Sequence, residues 1–129
     1  MLGLAACQLV APANAPEISA QTPTLPVTLT VLLDRAEAAF KHDQLLAPTG
    51  DSAYDHYQSV LKLYPDQPEA RLGLEQIVNR FIHRAQTAIR TERWATARSM
   101  LDRARIVDRD HPSLPAIYNQ LYQLRNATR

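Results

Sequence analysis

The residues of this 129-residue chain whose side chains could carry chemistry are four histidines, two aspartates one helical turn apart, and a single cysteine. His42, His56, His83 and His111 would be metal ligands if another donor stood at i, i+4 on a shared helical face. None is so placed, and no metal site is expected. Asp51 and Asp55 form an i, i+4 carboxylate pair of the kind general acid and base catalysis uses. They lie where an apolar-periodic segment begins, a position at which acids favour the helix dipole, so capping accounts for them. Cys7 has no candidate histidine partner, and one cysteine can form neither an internal disulfide nor a zinc cluster. There is no GxSxG, no phosphate-binding glycine loop, and three glycines in all, too few for cofactor-cradling loops. No catalytic residue, metal, cofactor or small-molecule substrate is expected, and the chain does not read as an enzyme.

The elements that must position these residues are helical. Residues 8–28 contain Pro12, Pro16, Pro23 and Pro26, one charge at Glu17, and no periodic pattern. Prolines at that density remove backbone donors and favour extended chain, so the segment reads as a tether with a reach of at most ~70 Å. Helical spacing begins near Thr28, in Leu29, Leu32, Leu33, Ala36, Ala39 and Phe40. Pro48 and Gly50 interrupt it, and Asp51 or Ser52 is placed to cap a second helix carrying Ala53, Tyr57, Val60, Leu61 and Tyr64 up to Pro65. Asp66 and Glu69 predict a capping-box start for a third, with Pro68 in its first turn.

This third helix runs unbroken through Ala70, Leu74, Ile77, Val78, Phe81, Ala85, Ala88 and Ile89. Its weak point is Gly73, where close helix packing is expected. A tight turn at residues 91–93 leads to a fourth helix with Trp94, Ala97, Leu101 and Ala104. After DRDHPSLP, with Ser113 as its cap, a fifth carries Leu114, Ile117, Tyr118, Leu121, Tyr122 and Leu124. The prediction is all-α, antiparallel helical hairpins joined by short loops, in a domain spanning residues 29–129.

Charge is uneven beneath a formal net of +1. Acids prevail from Leu32 to Val78 and arginines from Asn79 to Arg109, a polarity able to steer an acidic partner. The competing reading is two solvated faces with local ion pairs, such as Asp102 with Arg105. Acids interspersed among the arginines, and the near-neutral total, argue against nucleic acid.

Internal self-similarity narrows the fold. Ala53, Tyr57, Val60 and Pro65 have spacings of four, three and five, and Ala97, Leu101, Ala104 and Arg109 repeat them 44 residues later. A small residue lets two helices approach, a large one fills the groove a turn on, and a small one restores contact. This resembles the second helix of a tetratricopeptide repeat, whose period is about 34 residues. Phe81 and Ala85 fit the first helix of a second unit, whereas Arg84, Ala88 and Arg109 stand where the pattern has leucine, tyrosine and proline. LAPTGD lengthens the first hairpin's turn, and PEARLGLEQI is absorbed into the third helix. The resemblance implies two degenerate repeats plus a closing helix over residues 29–126; the alternative is an unrelated small bundle with coincidental spacing. It also implies a concave surface lined by the first helix of each pair. In the second unit the groove-facing positions correspond to Asn79, Ile82, Gln86, Ile89 and Arg90, suited to a peptide or partner helix. The competing explanation for the two isoleucines is core packing under helix one.

Leu4, Ala5, Ala6 and Cys7 resemble the lipobox of bacterial lipoproteins, in which small residues admit the peptidase and the thiol accepts a diacylglyceryl group. Residues 1–7 are then the remnant of a lipoprotein signal. Met1 to Ala6 fall short of the apolar stretch of about 7–15 residues such signals carry, so upstream codons are expected to supply the rest. Gln8 is not the aspartate that retains such proteins at the inner membrane, which implies an outer-membrane anchor. A lipidated cysteine, a tether and a small tetratricopeptide-like domain together resemble the LpoP-type lipoprotein activators of bifunctional class A penicillin-binding proteins. The resemblance implies a non-enzymatic periplasmic protein that binds the synthase and promotes peptidoglycan synthesis in the cell wall. Pilotins and accessory factors of outer-membrane assembly share this build. A cytosolic helical-repeat adaptor with unmodified Cys7 is the alternative from a different class.

Overall fold

The computed structural model describes Gly3 and residues 26–129. Cys7, its lipobox and nearly all of the proposed tether lie outside the described residues. The described residues form five helices and no strand: α1 (Val27–Lys41), α2 (Ala53–Leu63), α3 (Pro68–Arg90), α4 (Trp94–Val107) and α5 (Leu114–Ala127). Val27 and Thr28 are already helical, so α1 starts two residues before the expected domain boundary. Each helix packs on the next, and α3, 23 residues long, also meets α1 and α5. The architecture is a helical-hairpin repeat arrangement, α1/α2 then α3/α4, closed by α5.

The two matched stripes are core. Ala53, Val60, Ala97, Leu101 and Ala104 are wholly buried and Tyr57 nearly so. The 44-residue repeat extends to the helix ends: α2 stops at Leu63 and α4 at Val107, and the terminal amides of Tyr64 and Asp108 donate to the carbonyls of Val60 and Ala104. Proline is therefore not needed at Arg109 to end the helix. The Asp108 carboxylate turns the chain instead, accepting from the Asp110 amide at 3.1 Å.

The first helix of each hairpin also ends in a shared way. Asp43 and Glu92 adopt left-handed backbone, φ 61° and 55°. Their own amides donate to Phe40 and Ile89, and the following amides, of Gln44 and Arg93, donate to Ala39 and Ala88. This is the Schellman arrangement, which satisfies orphan carbonyls at a helix end and usually employs glycine. After Asp43 the chain loops through buried Leu45, and the carbonyls of Gln44 and Leu45 accept from the Ala53 and Tyr54 amides that open α2.

Ser52 caps α2 in a capping box with Asp55. The Ser52 hydroxyl is the main cause, and the Gly50 and Ser52 amides further ones, of an Asp55 carboxyl held below its usual range. Two expected caps do not form. Asp66 and Glu69 make no capping box, because Gln67 holds the N-cap position, the Glu69 carboxylate accepts from the Gln67 side-chain amide, and Asp66 pairs with Arg71 at 3.0 Å. Ser113 holds the N-cap position of α5 but makes no side-chain cap bond, its backbone being already helical at φ −81°, ψ −17°. Asp102 pairs with Arg98 at 3.8 Å, not with Arg105, and accepts from the Tyr118 hydroxyl at 2.6 Å, tying α4 to α5. Burial first, then that bond, raises the Tyr118 pKa to about 12.

Gly73 is the expected close approach. It is buried on α3 against the Tyr57 ring of α2, and a Cβ built on it would lie 2.2 Å from the ring's Cζ. The absence of a side chain lets α3 and α2 come together at this point.

Candidate interaction surface

α3 carries the residues expected to face a groove, and the structure divides them. Ile82 and Ile89 are buried, 8% and 3% exposed, whereas Asn79, Gln86 and Arg90 are exposed. The isoleucines belong to the core because α3 is flanked by all four other helices. What remains at the surface on that side is polar, with the Arg90 guanidinium donating to the Thr87 hydroxyl of its own helix.

A concavity of about 530 Å³ lies instead along α1, facing the N-terminal half of α3. Leu33, Phe40 and Tyr57 give it apolar surface; Thr30, Asp34, Glu37 and Lys41 of α1 and Glu69 and Gln76 of α3 are its polar lining. Glu37 pairs with Lys41 at 2.7 Å, while Asp34 and Glu69 have no cationic partner among the described residues. Burial raises the Tyr57 pKa, and the nearby Glu37 carboxylate adds to the rise. The helical spacing of Leu33, Asp34 and Glu37 was visible in the sequence. What placed them against Glu69 is the α1/α3 packing, which required the fold.

At the C-terminal end of α1, beside Phe40 of the groove, Asp43 joins the two hairpins. Its carboxylate accepts from both Arg84 and Arg80 of α3, and Arg80 also donates to the Phe40 carbonyl at 3.3 Å with its guanidinium 4.0 Å from the Phe40 ring centroid. These contacts place two cations at the C-terminal, negative end of the α1 dipole. They also account for Arg84, one of the departures from the repeat pattern. That departure was the signal for this clamp.

Three of the four histidines do separate structural work, and His83 is exposed on α3. His56 is buried with Nε2 2.7 Å from Asp51 Oδ1, His42 caps α1 through its backbone, and His111 Nδ1 accepts from the Ser113 amide. Among the described residues, no three His, Cys, Asp or Glu side chains are grouped to hold a metal ion, and no helix is long and apolar enough to cross a membrane.

Comparison with protein families, curated proteins and solved structures finds no match.

Proposed function

We propose that the chain is an outer-membrane lipoprotein, anchored through Cys7 on the periplasmic face, whose helical domain docks on a class A penicillin-binding protein and activates it. The observation that carries this reading is the order of features in the sequence. A lipobox-like LAAC is followed by a proline-rich run and then by a helical-hairpin domain. An anchor with a tether of at most ~70 Å confines the domain near the membrane and raises its effective concentration for partners within reach. Activation follows if the domain binds the synthase's active conformation more tightly than its resting one; a tenfold preference corresponds to about 1.4 kcal/mol. An open groove and polar helix faces suit docking.

The test is a pull-down of the full chain with purified class A penicillin-binding proteins, followed by a glycan-polymerisation assay. Binding and faster polymerisation are expected. A chain that neither binds nor stimulates any synthase ends the proposal. Mass spectrometry of the native protein addresses the anchor: a diacylglyceryl mass on an N-terminal Cys7 is expected, and a mature chain beginning with unmodified Met1 would exclude it.

A further inference from the structure

The groove between α1 and α3 has a chemical character that neither helix shows alone. Leu33, Phe40 and Tyr57 offer a half-buried to buried apolar surface. Exposed hydrophobic side chains stand near it on the same two helices. Val27 is 80% exposed and stands three residues before Thr30, which lines the groove, and Leu72 is 54% exposed between Glu69 and Gln76 on the same helical face. Around this surface stand Asp34, Glu37 and Glu69 against Lys41 and, over the Phe40 ring, Arg80, whose charge Asp43 meets; the balance is a local excess of acid. An apolar segment alone would leave those carboxylates facing an uncharged partner, and an acidic one would meet repulsion.

We infer that this groove receives a cationic amphipathic segment of a partner protein, its apolar side over Leu33, Phe40 and Tyr57 and its lysines or arginines against Asp34, Glu37 and Glu69. The inference rests on the reading of the domain as a docking module and gives that module's partner a chemistry. Asp34 and Glu69 are the specificity-determining positions, since neither is engaged by a cation of its own chain among the described residues. Glu37 is shared with Lys41, so an incoming cation competes there with an existing exposed pair, whose own worth is small. Leu33 and Tyr57 supply the anchor pocket, where the apolar part of binding concentrates.

The test uses the full chain, isotope-labelled for NMR, and two synthetic probes with one apolar pattern: a leucine–lysine amphipathic peptide and its leucine–glutamate counterpart. The lysine probe is expected to shift amides of α1 and the first half of α3, with affinity falling about tenfold or more as salt is raised. The glutamate probe is expected to leave them unmoved. The double variant Asp34→Lys, Glu69→Lys keeps the helical circular-dichroism spectrum and reverses the preference. Equal binding of both probes, shifts confined to α4 and α5, or groove shifts that appear on concentrating the protein alone would each overturn the assignment. No synthase takes part in this assay. A chain that selects the lysine probe yet stimulates no synthase retains the groove and loses the proposed function; stimulation without that selectivity does the converse.

Discussion

At the scale of single residues, Gly73 shows how a locally unfavourable choice is set by a neighbour. An interior glycine costs a helix ~1 kcal/mol relative to alanine, so on propensity alone Gly73→Ala should stabilise α3. The Tyr57 ring opposes this, because three of its carbons lie within 2.5 Å of where the new Cβ would be. Tyr57 is 6% exposed and lines the α1/α3 groove, so its ring can yield only toward that groove, out of its packed position. Overpacking of this kind costs ~1–3 kcal/mol against a propensity gain of ~1 kcal/mol, a net loss of up to about 2 kcal/mol. Gly73→Ala is expected to lower the thermal midpoint by several degrees, read by circular dichroism. In a Tyr57→Leu background the same change should become neutral or stabilising, since the obstructing ring is gone. If Gly73→Ala raises the midpoint in the native background, the close approach of α2 and α3 is wrong. Gly73 was legible in the sequence as a packing site; its partner was not, because Tyr57 belongs to another helix.

At the scale of elements, helix existence was readable throughout and helix ends were readable only in part. Apolar spacing locates all five helices, because each buries one stripe and exposes the rest. Capping is less transparent: Ser52 caps α2, but Asp66 and Ser113 have cap-forming side chains that the local backbone does not use. The two Schellman ends were invisible, since Asp43 and Glu92 hold the left-handed position where glycine would have announced it. Left-handed backbone costs a non-glycine residue ~1–2 kcal/mol, part of which glycine gives back in unfolded-chain entropy. Glu92→Gly is therefore expected to stabilise the protein by ~0.5–1 kcal/mol, measured as a higher urea midpoint with an unchanged slope. Asp43→Gly gains the same relief but removes the carboxylate that accepts from Arg80 and Arg84, so it should be close to neutral. Equal stabilisation by the two changes would mean that the clamp between α1 and α3 contributes nothing measurable.

At the scale of the whole molecule, the repeat accounts for the hairpins and the departures from it account for how they are joined. In a solenoid of identical units each hairpin contacts its neighbour through a modest interface, and stability is a sum of such terms. Here α3 runs unbroken through 23 residues: its first half sets Gly73 against Tyr57 of α2 and lines the groove with Glu69 and Gln76, and its second half holds Asp43 through Arg80 and Arg84 and pairs with α4. Neither hairpin can lose its structure without exposing the buried side of that shared helix, where Ala70, Ile77, Val78, Phe81 and Ala85 form one core. This continuity buries Ile82 and Ile89, which the repeat pattern assigns to a groove; the concavity does lie between the first helices of the two pairs, α1 and α3, but against the first half of α3. The same continuity predicts a single cooperative transition. Trp94, the chain's one tryptophan, reports on the start of α4 in the second hairpin, whereas far-ultraviolet circular dichroism reports on all five helices. The two signals should give superimposable urea unfolding curves, as two-state behaviour requires. A tryptophan transition displaced from the helical one would mean that the second hairpin unfolds by itself and that α3 does not couple the two units.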